Sequence, residues 1–201
     1  VSHQQGHLAA AALSADVLHL LGEPFLAWHL SGGTTELLYV RPNGALFTAE
    51  IIGGTEDLAA GQLIDRAGRL LDLPFPSGAQ LETLADACTD PEKPFRAKVT
   101  DSRFSLSGAQ NKIEQLHRAG APTETVARYA IDIVSGAVVE ATRQAVAHTH
   151  LPVLCAGGVM SNRLLQQRMR DAFGAYFAQP TLSGDNAVGV AVLAARLSGE
   201  L

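Results

Sequence analysis

Two histidines near the start of the chain, His3 and His7, are the first residues whose spacing could support chemistry. On a helix, residues four apart lie on one face, where both imidazoles can bind one cation. Two solvated helix histidines would show the same spacing. Asp185 is a candidate third ligand, although its position ahead of a predicted helix is also typical of an N-cap. Two histidines and one carboxylate leave coordination positions open, which suits iron or zinc.

Two glycine pairs, Gly32-Gly33 and Gly157-Gly158, each follow an apolar segment. Glycine lets backbone amides come close to a phosphate group. One such pair is a common turn, but two in one chain predict a floor that contacts phosphate or ribose.

Two polar side chains could complete a nucleotide site. Asp65 stands among apolar neighbours in a predicted helix, where it could accept hydrogen bonds from ribose hydroxyls. An exposed position, or an ion pair with Arg66 or Arg69, is the alternative. Asn162 is first of all a predicted helix N-cap, and it could also hydrogen-bond a ligand.

The elements that position these residues follow from hydrophobic periodicity and turn residues. The pattern predicts one helix over residues 2–21 and then three consecutive strands over 25–30, 35–40 and 45–52. Further predicted helices cover 57–71, 123–149, 162–173 and 186–197, and further strands cover 152–155 and 176–178. The polar stretch 79–112 shows no single pattern, and we interpret it as an insertion that decorates the core.

This order of elements predicts an α/β fold of the actin/hexokinase (ribonuclease-H-like) type, with a mixed sheet flanked by helices. In such folds ligands gather at the carboxyl ends of strands. Residues 1–22 are interpreted as the remnant of an N-terminal lobe and 23–201 as a C-terminal nucleotide-binding lobe. Because the chain begins at Val1 rather than Met, we expect it to be the C-terminal part of a longer, two-lobed protein of ATPase type.

Composition restricts the classes of function. The 201 residues are 47% hydrophobic, enough for one sizeable core, and carry a formal charge of −5. There is no run of Lys or Arg, so the footprint of a strong nucleic-acid binder is absent, although a partner could supply that charge and tRNA stays open as a substrate. Two distant cysteines predict no disulfide framework and favour the cytoplasm. No apolar stretch approaches the ~20 residues of a membrane span.

Over nearly its whole length the sequence resembles the TsaD family of tRNA-modifying proteins, once described as sialoglycoprotein endopeptidases. The resemblance rests on seven segments in a fixed order, which are far more specific together than singly. They are residues 2–7 (family pattern H-x-E-G-H), 29–35 (V-S-G-G-H-T), 57–66 (D-D-A-A-G-E-A-F-D-K), 76–78 (P-G-G), 104–108 (F-S-F-S-G), 156–162 (A-G-G-V-x-x-N) and 184–186 (T-D-N).

The resemblance implies that one divalent ion, iron or zinc, is bound by His3, His7 and Asp185. It implies contacts to ATP or threonylcarbamoyl-adenylate from His29, Leu30, Ser31, Gly32, Gly33, Asp65, Gly78 and Asn162. The implied enzyme is an acyltransferase that moves the threonylcarbamoyl group from the adenylate to N6 of the tRNA adenosine just 3′ of the anticodon. The metal would polarise the carbonyl, and partner subunits would make the adenylate and support turnover.

Several positions depart from the family pattern. Gln5 replaces a Glu, Thr34 a His, Leu58 an Asp, and Gln110 a Lys, and Ile64-Asp65-Arg66 stands for Phe-Asp-Lys. The changes at Gln5, Thr34 and Leu58 favour a second hypothesis, a divergent paralogue that is a carbamoyl transferase or ATP-hydrolysing enzyme with a different acceptor.

Two further hypotheses are weaker. A non-catalytic regulatory or assembly module would have no need of three side chains able to meet one ion. A zinc peptidase would need the general-base Glu of a His-Glu-x-x-His segment, which this histidine pair lacks.

Overall fold

The structure is a computed structural model that describes residues 2–147, 149–179 and 187–200. In chain order, its helices and strands are α1 (His3–Ser14), a 3-10 turn (Leu18–Gly22), β1 (Phe25–Leu30), β2 (Thr35–Asn43), β3 (Leu46–Thr55), α2 (Ala60–Leu70), α3 (Gly78–Asp86), β4 (Val99–Thr100), β5 (Arg103–Phe104), α4 (Ser107–Arg118), α5 (Thr123–Val146), β6 (Val153–Ala156), a second 3-10 turn (Gly158–Ser161), α6 (Arg163–Phe173), β7 (Tyr176–Phe177) and α7 (Ala187–Ser198).

The seven strands form one mixed sheet in the order β4-β5-β3-β2-β1-β6-β7. The predicted three antiparallel strands are confirmed, and β6 runs parallel to β1 with His29 opposite Ala156. Because parallel strands end at the same edge of a sheet, the two glycine pairs that follow β1 and β6 come together there. The mixed α/β architecture is therefore as predicted.

Alternation along β1 creates the two cores of the molecule. Leu26, Trp28 and Leu30 face the side covered by α2 to α6, whereas Phe25 and Ala27 face the side covered by α1 and α7. The indole Nε1 of Trp28 donates a 2.8 Å hydrogen bond to the hydroxyl of Thr142 in α5, so this fully buried polar group is satisfied. Both cysteines are buried and free. None of the helices in the described ranges has the length and apolarity that crossing a membrane requires.

The first helix is shorter than its sequence pattern predicts. A single helix over 2–21 is wrong, because α1 ends at Ser14 and a separate 3-10 turn follows. Asp16 adopts a left-handed backbone (φ +58°), and the amide of Val17 turns back to the carbonyl of Ala12. The turn lets Val17 and Leu20 enter the core beside α1, which a straight helix would not allow.

The stretch 79–112, expected to decorate the core, contributes directly to it. It holds most of α3, both short strands and the start of α4. Leu81, Phe104 and Leu106 are each no more than 1% exposed. The segment has no single periodicity because four short elements share it, each with only a few buried positions.

Helices α1 and α7 approach each other at a pair of glycines beside the histidine pair. A Cβ added to Gly189 of α7 would lie 1.7 Å from the carbonyl oxygen of Gly6 and 2.9 Å from the amide nitrogen of Ala10. Neither backbone can move without separating the helices. This contact therefore fixes α7 against the turn of α1 that lies between His3 and His7.

We expect Gly189→Ala to lower the free energy of unfolding by about 1 to 3 kcal/mol, because the methyl group overpacks this contact. The matched control is Gly136→Ala in α5, where an added Cβ meets nothing within 4 Å. There alanine should raise stability by about 0.5 to 1 kcal/mol. Urea unfolding of both variants measures the difference, and equal stabilities would contradict the close approach of α1 and α7.

Candidate functional site

The loop that follows β1 packs directly against backbone from three other elements. A Cβ on Gly157 would lie 2.1 Å from the carbonyl oxygen of Leu30, and one on Gly61 would lie 2.4 Å from that of Ser31. A Cβ on Gly54 would lie 2.2 Å from the carbonyl oxygen of Thr35. Gly157 and Gly54 also have φ of +97° and +123°, a conformation that favours glycine. Contact between backbones therefore fixes the path of the loop.

Short hydrogen-bond links hold the loop from within and join it to α2. The hydroxyl of Ser31 accepts from the amide of Thr34 (3.1 Å), while the amide of Ser31 donates to the carbonyl of Thr34 (2.9 Å). The buried hydroxyl of Thr35 accepts from the amide of Ala60 (2.8 Å), the first residue of α2. The N-terminus of α2, the positive end of its dipole, is thus held beside the glycine loop.

A cleft of about 460 Å³ opens at this edge of the sheet. Four of the predicted nucleotide-binding residues line it: Gly32, Asp65, Gly78 and Asn162. Gly158 lines it too, and a Cβ added to Gly32 or Gly158 would meet nothing within 4 Å. The two glycines therefore have different roles, since Gly157 permits close packing and Gly158 faces the cleft.

Asp65 anchors one wall of the cleft. Its Oδ1 accepts a 2.8 Å hydrogen bond from the amide of Ser77, whose hydroxyl donates to the carbonyl of Pro74 (3.1 Å). Arg66 donates instead to Gln110 (2.5 Å), so the predicted alternative of an Asp65–Arg66 ion pair does not occur. The Oδ2 of Asp65 makes no hydrogen bond within the described ranges and could accept one from a ligand.

The opposite wall is the start of α6, joined to α3 by an ion-pair clasp. The side chain of Asn162 accepts from the amide of Leu165 (3.0 Å), which confirms the predicted N-cap. The next residue, Arg163, donates through Nε (2.6 Å) and its backbone amide (3.1 Å) to Glu82, and also pairs with Asp86. Glu82 lines the cleft and was not predicted from the sequence. The available signal was its spacing of four residues from Asp86, which places both carboxylates on one face of α3.

The predicted metal ligands His3 and His7 project together from α1. Their Nε2 atoms are 3.0 Å apart, close to the about 3.3 Å that separates two imidazole nitrogens on a tetrahedral zinc ion. This distance fits two ligands of one metal ion and equally a hydrogen bond between the two rings. Asp185 lies outside the described residues. Among those described, no three His, Cys, Asp or Glu side chains are arranged to hold an ion.

His29 lies with this pair and not among the residues that line the cleft. Its ring centroid is 5.3 Å from that of His7, on the face of β1 that α1 covers. Burial lowers the pKa of the His29 imidazole below its usual value, and the nearby charges of His7 and His3 lower it further. At neutral pH the ring is uncharged. Of the other predicted contacts, Leu30 is buried in the core, so a ligand could reach only its backbone.

Gln5 has a structural task in α1. Its backbone amide donates to the hydroxyl of Ser2 (3.2 Å), and its side-chain oxygen accepts from the backbone amide of Ser2 (2.7 Å). Together these bonds form a reciprocal capping box. The Nε2 of Gln5 also donates to the carbonyl of Phe47 in β3 (2.5 Å). An ionised glutamate could not make the bond to Phe47, because it has no N–H. The amide thus ties the histidine helix to the sheet.

Asp57 is a second structural residue that the sequence did not reveal. Its carboxylate accepts hydrogen bonds from the amides of Leu58 (2.5 Å), Leu106 (2.9 Å) and Ser107 (3.3 Å), and from the hydroxyl of Ser105. Burial opposes ionisation, but the hydrogen bonds from Ser105, Ser107 and the backbone outweigh it and hold the pKa of Asp57 well below its usual range. Asp57 thereby joins the approach to α2 to the start of α4.

Comparison with known proteins identifies the family of the chain. A family model described as TsaD, tRNA N6-adenosine threonylcarbamoyltransferase, matches residues 1–192. A relative of that name from Enterococcus faecalis is 34% identical over 203 residues, covering 93% of this chain and 56% of the relative. One from Thermus thermophilus is 35% identical over 201 residues, covering 98% and 59%. The chain therefore spans a little over half the length of these curated relatives.

Solved structures show the fold. A full-length HypF in its phosphate- and nucleotide-bound form has a TM-score of 0.76 at 14% identity, covering 98% of this chain and 42% of that one. The activator of 2-hydroxyisocaproyl-CoA dehydratase from Clostridium difficile, with bound ADPNP, has a TM-score of 0.60 at 14% identity, covering 96% and 67%. These similarities confirm the predicted actin/hexokinase-type fold.

The division of tasks between Gly157 and Gly158 leads to opposite expectations for two alanine variants. Gly157→Ala should lower the free energy of unfolding by about 2 kcal/mol or more, through backbone strain and the contact with Leu30. Gly158→Ala should leave stability nearly unchanged and weaken ATP binding about tenfold, equal to about 1.4 kcal/mol. Urea unfolding and calorimetric titration with ATP measure the two effects. Unchanged ATP affinity in Gly158→Ala would remove this residue from the binding surface.

Proposed function

Because the chain belongs to the tRNA N6-adenosine threonylcarbamoyltransferase family, we propose that the protein of which it forms part transfers a threonylcarbamoyl group from its adenylate to N6 of a tRNA adenosine. A C–N bond forms at the carbamoyl carbonyl while the bond from that carbon to the AMP phosphate oxygen breaks. The N6 amine loses a proton, and AMP leaves. Partner subunits that make the adenylate belong to this proposal.

One observation carries the nucleotide part of the proposal. The open glycines, the N-terminus of α2 and the partly unsatisfied carboxylate of Asp65 all border the same cleft. Backbone amides and a helix N-terminus favour phosphate, and a carboxylate accepts from ribose hydroxyls. We assign the phosphate to the side of Gly32 and Gly158 and the ribose to the side of Asp65 and Gly78.

The metal part of the proposal rests on the geometry of His3 and His7. We propose that His3, His7 and Asp185 hold one divalent ion, iron or zinc. Asp185 is four residues ahead of Gly189, which packs against Gly6 between the two histidines. A divalent ion bound there supplies a Lewis acid for the carbamoyl carbonyl. The residues of this chain then orient the adenylate, since its AMP end would lie in the cleft and its acyl end toward α1.

The proposal is tested with the full-length protein, synthetic threonylcarbamoyl-adenylate and unmodified tRNA, and the modified nucleoside is measured by mass spectrometry. We expect product from the wild type and a roughly tenfold higher KM for the adenylate in Asp65→Ala, a loss of about 1.4 kcal/mol of binding. His7→Ala should lose bound metal by elemental analysis and lose activity.

His19→Ala is the matched control, because this exposed histidine lies in the 3-10 turn after α1, away from the pair. It should keep both metal and activity. Turnover of the adenylate without modification of tRNA would point to a different acceptor. Equal metal content in His7→Ala and the wild type would overturn the metal site.

A further inference from the structure

Phe75 is a large aromatic side chain that the structure leaves almost entirely in water. It is 81% exposed, the highest value among the described large hydrophobic residues, and the next is Leu197 at 57%. Exposed apolar surface carries a free-energy cost that burial against a ligand would remove. A single exposed hydrophobic residue is common on protein surfaces, so its rigidity and its surroundings must decide whether it has a function.

The backbone around Phe75 is held in place on both sides. Pro74 and Pro76 flank it, and each pyrrolidine ring fixes its own φ. Ser77 is 2% exposed, and Asp65 and the carbonyl of Pro74 bind it through its amide and hydroxyl. A Cβ on Gly68 of α2 would lie 2.2 Å from the Cβ of Ser77, so the turn sits directly on that helix. Little backbone freedom remains to be lost when a ligand contacts the ring.

The turn that carries Phe75 also forms one lip of the cleft. Pro76 and Gly78 line the cleft, whereas Phe75 itself does not. Phe75 therefore belongs to the turn that borders the cleft, with its ring exposed to water.

A positive charge lies on the same side of α2. Arg69 is one helical turn after Asp65, which binds the turn, and residues four apart share a helix face. Arg69 is exposed and forms no salt bridge within the described ranges. An exposed apolar ring and an exposed guanidinium on the same side of α2 match the chemistry of single-stranded nucleic acid, whose bases stack and whose phosphates attract cations.

We propose that Phe75 is a stacking platform for a base of the acceptor RNA, at the point where that strand enters the cleft. This inference rests on the function proposed above and adds a residue that recognises the acceptor rather than the adenylate. RNA is favoured over a protein partner because one ring between two prolines is far smaller than the roughly 800 Å² per partner of a stable protein interface. Single-stranded RNA, by contrast, is recognised through individual unstacked bases on aromatic rings.

The test compares Phe75→Ala, Phe75→Trp and the wild type in the full-length protein, with an anticodon stem–loop RNA and with ATP as separate probes. We expect Phe75→Ala to weaken RNA binding about 10- to 100-fold, the range of one lost base stack, and to leave ATP affinity within about twofold. Phe75→Trp should keep RNA affinity. Its indole fluorescence should be quenched by the RNA, over the background of the other tryptophans, which include the buried Trp28 and which the wild type measures separately.

Tyr176→Ala is the matched control, since this aromatic residue of β7 is 40% exposed and does not line the cleft. It should bind RNA as the wild type does. If the wild type and Phe75→Ala bind RNA with equal affinity, the stacking platform is overturned and the transferase proposal stands. No binding of the stem–loop or of whole tRNA by the wild type, with its partner subunits present, overturns both. An indole in Phe75→Trp that acrylamide cannot reach and RNA does not affect would show a protein contact there instead, and overturns the proposal too.

Discussion

The close packing of backbone around the loop after β1 is the constraint on which the rest of the site depends. Three glycines from β3, α2 and the loop after β6 press against the carbonyls of residues 30, 31 and 35, with no room for a side chain at any of them. Packing of this kind is rigid, because interiors are close-packed and neither partner can move alone. The cleft therefore has a floor of fixed backbone before any polar side chain is considered.

Polar side chains then attach the surrounding helices to that floor. Thr35 accepts a hydrogen bond from the first amide of α2, and Asp57 accepts from amides at the start of α4. Asp65 accepts from the amide of Ser77. Each acceptor satisfies a donor that would otherwise be left unpaired near a buried helix end or turn. The same bonds that stabilise the fold thus set the walls of the cleft. Among these three residues, Asp65 has a carboxylate oxygen that makes no hydrogen bond within the described ranges, and Asp65 also lines the cleft.

The sequence was most informative where one local pattern decided the structure. The strand Phe25–Leu30 and the N-cap position of Asn162 were predicted correctly. The end of α1 at Ser14 was missed, because apolar spacing continues through residue 20 and only the left-handed Asp16 breaks the helix. Glu82 and Asp57 were missed for another reason. Their partners are about 50 to 80 residues away, and a single sequence contains no record of such contacts.

Contacts of this kind also bear on whether the departures from the family pattern indicate a different acceptor. Gln5 and Leu58 favour a different acceptor only if both side chains lie near the chemistry. In the structure Gln5 links α1 to Phe47 through an N–H that a glutamate lacks, and Leu58 is 5% exposed within the larger core. Both side chains therefore have contacts in the fold that account for them without a change of acceptor. Of Gln5, Thr34 and Leu58, only Thr34 stands in the glycine loop, where its backbone amide donates to Ser31 and its carbonyl accepts from the Ser31 amide.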